Sequence, residues 1–224
     1  MTRARLPATL ATLSLALLGL HLVTVGADVF APGAYLAILS RWFDLDNEKN
    51  LPTLIISLLF LLAGSLSIWH SIRKSDLGNR LFFSVLALLC FYVAVDDYFI
   101  LHELASEPLR KGLGIGDTSL LYHAWIIPAL AAAAAIISYL LLVRKRLVAH
   151  FRLHTDILKV IGVCLAVIII VEVIGTRLYW NRPLYRLLLV PLEEMSEFVM
   201  VSYIIASLAK VLVVPVEDVM PNAK

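Results

Sequence analysis

Six stretches of the chain are apolar almost without interruption, and polar residues gather in the segments between them. They cover residues 8–25, 51–72, 81–104, 120–143, 157–175 and 187–214. A helix of about 20 apolar residues crosses the hydrocarbon core of a bilayer, and only closed hydrogen-bonded structures are tolerated there. The pattern therefore predicts an all-α fold, a polytopic membrane helix bundle of about six transmembrane helices, with residues 1–224 as a single transmembrane domain. The first run follows Arg3 and Arg5 and ends Val25-Gly26-Ala27, as a cleavable signal peptide would. It is longer than a usual signal core, which predicts a retained helix.

The connections carry their own patterns. In the longest, residues 28–50, Tyr35, Leu36, Ile38, Leu39, Trp42 and Phe43 recur at helical spacing with Ser40 and Arg41 between them. That spacing predicts a short amphipathic helix lying in the membrane interface. Asn50 ahead of Leu51-Pro52 predicts a helix start, with the asparagine as cap and proline in the first turn. Gly112-Leu113-Gly114-Ile115-Gly116-Asp117 has the glycines of a phosphate loop, but no strand precedes it and no lysine follows it. It reads as a turn, with Asp117 or Thr118 capping the next helix.

Composition sharpens the picture without changing it. The chain is 61% hydrophobic and 16% charged, with a mean hydropathy of +0.89. Soluble domains are less apolar and more charged, so the expected surroundings are a lipid bilayer. A net charge of +2, with no basic arm, excludes nucleic acid as a partner. Cys90 and Cys164 each sit inside an apolar run and read as small buried hydrophobes. Eleven Lys and Arg fall in the N-terminus, second and fourth connections and tail, against seven in the other three connections. The bias predicts that both termini face the cytoplasm.

The candidate chemistry follows from parity. Asp44, Asp46 and Glu48 precede the second run; Asp96, Asp97, His102 and Glu103 close the third; His123 opens the fourth. Glu172 lies near the end of the fifth, and Glu193, Glu194 and Glu197 near the start of the sixth. Alternating spans bring all of these to one membrane face, the non-cytoplasmic one under the Lys/Arg bias. Ionisable groups at membrane depth are costly and mark working sites by default. At about 100° per residue, Asp96 and Glu103 share one helix face, with Asp97 and His102 turned to either side. The acids before the second run read as interfacial groups, solvated or paired with Arg177, Arg182 or Arg186. Glu172 has no helical neighbour to pair with and needs a partner from another span. Carboxylates with imidazoles suit a divalent metal such as zinc, iron or manganese. The predicted ligand set is Asp96, His102, Glu103, His123, Glu172, Glu194 and Glu197. Without a metal, such acids share protons and suit proton or cation coupling.

The run Phe43-Asp44-Leu45-Asp46-Asn47-Glu48-Lys49-Asn50-Leu51-Pro52-Thr53, together with Asp96-Asp97 and Leu101-His102-Glu103, resembles an uncharacterised family of small multi-pass bacterial membrane proteins. That family has an acidic pair before Leu-His-Glu, with glutamate where this chain has Asp97. The resemblance implies a place in the bacterial cytoplasmic (inner) membrane and brings no activity. The chain is more loosely similar to the alkaline ceramidase and progestin-receptor-like hydrolase superfamily, which implies a zinc hydrolase. Glu193, Glu194 and Glu197 stand where that superfamily has His-x-x-x-His. Three functions follow as expectations. The first is a metal-binding membrane hydrolase or lipid-modifying enzyme acting on a small molecule or lipid. The second is a small proton- or cation-coupled transporter, although no inverted repeat is present. The third is a non-catalytic accessory subunit whose acids pair with arginines.

Overall fold

A computed structural model describes residues 5–31, 33–47, 49–116, 119, 121–143, 151–178 and 182–212. Among them there is no strand. The helices are α1 (Arg5–Phe30), α2 (Ala34–Phe43), α3 (Leu51–Arg73), α4 (Leu77–Phe99), α5 (Leu101–Leu113), α6 (Ile126–Val143) and α7 (Phe151–Leu178). A single turn α8 (Arg182–Leu184) then leads through a π-helical stretch, Tyr185–Leu189, into α9 (Val190–Leu212).

Local chemistry sets several of these ends. The Asn50 side chain accepts from the Thr53 N–H at 3.1 Å, and Pro52 occupies the first turn of α3, as its fixed φ favours. Asp76 caps α4 by accepting from the Asn79 N–H at 2.8 Å. Gly114 closes α5 at φ +66°, a conformation that costs glycine little. The expected caps at Asp117 or Thr118, and the acid Glu48, lie outside the described residues.

Among the described residues, four helices are long and apolar enough to cross a membrane: Arg5–Phe30, Leu51–Arg73, Leu77–Phe99 and Leu153–Gly175. Their outward surfaces are themselves apolar, with Leu15, Leu58, Leu88 and Val163 all more than half exposed. A soluble protein would bury such side chains, and lipid accepts them. The chain is a multi-pass helical membrane protein. The core lies where α3, α4, α7 and α9 meet, around Ile56, Phe60, Phe83, Ile157, Phe198 and Ile204, with Leu10 and Leu17 of α1 at its edge. Packing is closest between α3 and α4 at Gly64, where an added Cβ would stand 2.7 Å from the Phe91 ring.

At one end of the bundle His70 and His154 are both inside the core. His70 Nε2 is 3.0 Å from the Leu208 carbonyl and its ring stacks on Phe83; the His154 ring lies 4.0 Å from that of Phe82. The fifth helix starts at Phe151, not residue 157, and its extra turn carries His154 inward.

Candidate functional site

At the other end, α4 stops short. Ile100 adopts φ 60°, ψ 38°, left-handed for a β-branched residue, and its N–H still reaches the Asp96 carbonyl at 2.6 Å. The chain turns there and restarts as α5, which is charged on one side and too polar to continue across the bilayer. Asp96 holds the corner. Its Oδ1 accepts from the His102 backbone N–H at 2.8 Å, and its Oδ2 lies 3.2 Å from His102 Nδ1. Burial opposes a charge on this imidazole. The hydrogen bond and charge of Asp96, reinforced by Glu103 and Glu172, outweigh it and raise the His102 pKa to about 9. One residue on from Asp96, Asp97 turns to α3 and accepts from Ser57 Oγ at 3.0 Å.

A second imidazole–carboxylate pair stands beside the first. His123, in the turn before α6, places Nδ1 3.3 Å from Glu172 Oε2 near the end of α7. Burial, then the charges of His102 and Arg110, push this histidine below its ordinary range. Trp125 joins the two pairs. Its ring meets His102 edge-on at 5.2 Å, its backbone N–H donates to Ser106 Oγ at 3.4 Å, and its indole faces Glu172. Arg110 of α5 lies 4.2 Å over the Tyr122 ring, fastening α5 to the entry of α6. Glu193 of α9 faces the same Glu172 carboxylate. Two neighbouring imidazoles are thus pushed in opposite directions, His102 up and His123 down.

The third polar group involves α1. His21 is fully buried; its Nδ1 accepts from the Leu45 N–H at 3.0 Å and its Nε2 donates to the Arg186 carbonyl at 2.9 Å. That network assigns a neutral ring with the proton on Nε2. The π-helical stretch explains why the carbonyl is available. The Val190 N–H, which an α-helix would direct to Arg186, goes to the Tyr185 carbonyl instead. The next donor in line belongs to Pro191, which has no N–H. Arg186 also sends Nη2 to Asp44 Oδ2 at 2.5 Å, with Nη1 3.9 Å from Asp28. Asp44, almost fully buried, further accepts from the Asp46 N–H at 3.1 Å, and its carbonyl accepts from the Asn50 side chain. Next to Arg186, the Tyr185 phenol is pushed well above its usual range by burial and by the charges of Asp46, Glu193, Glu172 and Glu103. Tyr185 lies between the two acidic groups.

A family model described as a domain of unknown function (DUF8692) matches residues 6–211. The chain belongs to the DUF8692 family. No curated protein and no solved structure matches it significantly. The family match names no hydrolase superfamily, and the looser likeness to ceramidase-type enzymes gains nothing from it.

In this DUF8692 protein the seven expected metal ligands do not gather at one point. Among the described residues no three His, Cys, Asp or Glu side chains are placed as metal ligands. Asp96 and His102 form one pair, and His123 and Glu172 the other. Glu103 is exposed at the start of α5, while Glu194 and Glu197 are half-buried on α9. The expected pairing of Asp96 with Glu103 assumed an unbroken helix through residue 104, and the turn at Ile100 removes its basis. Asp44 is paired with Arg186, one of its expected partners, but in a buried site, not a solvated one. Glu172 finds its partner on another segment, the turn entering α6. Sequence reasoning overlooked His21 and Trp125. An imidazole seven residues from the acidic end of the first apolar run was the available signal for His21.

Proposed function

We propose that this DUF8692 protein is a six-span protein of the bacterial cytoplasmic membrane with an acid–base site at its non-cytoplasmic face. In this reading α6 and α9 join the four long apolar helices as spans, and α2 and α5 lie in the interface. Both termini are cytoplasmic, in keeping with the Lys/Arg bias. His102 is the proton donor and His123 the acceptor, each backed by its own carboxylate, on a lipid or small-molecule substrate. The observation that carries this reading is the pair of imidazole–carboxylate contacts, at 3.2 and 3.3 Å, set side by side across four chain segments. Groups with neighbouring positions and diverging proton affinities are how proteins run acid and base steps at one pH.

A divalent metal (zinc, iron or manganese) in the same layer is the second reading. It is favoured by three carboxylates, Asp96, Glu103 and Glu172, acting on one imidazole, that of His102. One experiment separates the two. Histidine-labelled protein in nanodiscs is titrated by NMR, with and without added zinc, manganese or iron. The acid–base reading expects His102 to titrate near 9 and His123 below 6.5, unchanged by metal. Metal binding would displace both signals together, and near-identical titrations without metal would reject the donor–acceptor assignment. Lipid profiles of cells carrying the parent or His123→Gln then test for an enzyme. A pH-sensitive dye inside proteoliposomes tests for a proton-coupled carrier.

A further inference from the structure

Apart from the imidazole pairs, a polar cleft of about 440 Å³ opens at the same end of the bundle. That volume falls in the range of small-ligand sites. Its deeper wall is Asp44, Arg186 and Asp28, with side chains 3%, 22% and 22% exposed. Arg41, Asp46 and Asn47, all exposed, line the rest. Three carboxylates thus face two guanidiniums across one opening.

We infer that this cleft binds the headgroup of a zwitterionic aminophospholipid, with its ammonium toward Asp28 and Asp46 and its phosphate toward Arg41 and Arg186. Three features of the site lead to this occupant. First, the lining carries both signs of charge, so a purely anionic or cationic ligand would meet repulsion that a zwitterion avoids. Second, among the described residues the lining offers carboxylate acceptors and none of the aromatic rings that hold quaternary ammonium groups, which suits a primary ammonium with its three N–H donors. The five donors of Arg186 exceed what its contacts with Asp44 and Asp28 consume, and a phosphate suits what is left. Third, the cleft adjoins apolar surface, which rests at the lipid interface in the reading proposed above. Phe30 at the end of α1 is 78% exposed, and Tyr35, Ile38, Leu39 and Trp42 of α2 are exposed beside it. Acyl chains would lie against these side chains while the headgroup enters the cleft, so the source is a lipid and not a soluble zwitterion.

The test uses full-length protein in gentle detergent, mixed with equal amounts of phosphatidylethanolamine, phosphatidylcholine and phosphatidylglycerol, and read by native mass spectrometry. Phosphatidylethanolamine should be retained in preference, at one molecule per chain. Arg41→Gln and Asp46→Asn change exposed positions of the cleft. Each should weaken that retention roughly tenfold, as the loss of one charge-assisted hydrogen bond does, and Arg41→Gln should leave the thermal unfolding of the protein unchanged. Equal retention of the three lipids, or retention unaffected by both variants, would overturn the assignment. So would displacement by soluble phosphoethanolamine at concentrations matching the lipid, which would make the occupant a soluble zwitterion.

Discussion

His21 shows how much one buried side chain can carry here. Both ring nitrogens are used, one by the Leu45 N–H and one by the Arg186 carbonyl, and no water reaches either. Replacing the ring with an apolar one leaves a donor and an acceptor stranded, at about 1–3 kcal/mol for each. His21→Phe should therefore lower unfolding stability by about 2–4 kcal/mol. His21→Gln, whose amide can both donate and accept, should lose less. Denaturant unfolding of the two variants in nanodiscs checks the order, and equal losses would mean that ring packing, not hydrogen bonding, holds α1 to the π-helical turn.

At the scale of elements, the decisive feature is the left-handed residue between α4 and α5. Such a conformation costs a β-branched side chain about 1–3 kcal/mol, and Asp96 supports it by receiving N–H groups from both sides of the corner. Ile100→Gly relieves that strain but loosens the unfolded chain, so its stability should stay within about 1 kcal/mol of the parent. Ile100→Pro cannot adopt the positive φ and deletes the N–H that reaches Asp96. It should cost about 3 kcal/mol or more and move the His102 NMR signal toward an ordinary histidine titration. A proline variant with parental stability and an unmoved His102 would show that the corner does not position the pair. This corner also marks the limit of what could be read in advance. Long apolar runs make spans legible because hydrocarbon length fixes helix length, and Asn50-Leu51-Pro52 makes a helix start legible because capping is local. An isoleucine in a left-handed turn leaves no such mark. Helical phase carried through it pairs Asp96 with Glu103, whereas the folded chain pairs Asp96 with His102. Span parity ignores phase and does not depend on the break; Asp96, His102, His123 and Glu172 do lie near one another, although which pairs with which was not legible.

For the whole molecule, the testable claim is its orientation. Cys90 and Cys164 are both buried, so single cysteines introduced at exposed positions can report on sidedness. An impermeant thiol reagent applied to intact cells should label Glu107→Cys on α5 and leave Ser75→Cys, between α3 and α4, unlabelled until the membrane is opened. Labelling of Ser75→Cys alone would invert the molecule, and labelling of both from outside would break the six-span arrangement. One further consequence belongs to the π-helical stretch before α9. Its adjacent residues face two ways: Arg186 lines the cleft, and Tyr185 feels the charges of Asp46 on one side and Glu172 on the other. Thermodynamic linkage makes any such influence reciprocal. A change of charge around Asp46, as when the cleft is filled, therefore reaches the Tyr185 phenol, and the phenol acts back on the acids to either side of it. One irregular turn of backbone thus makes neighbours of two polar groups that the sequence keeps far apart.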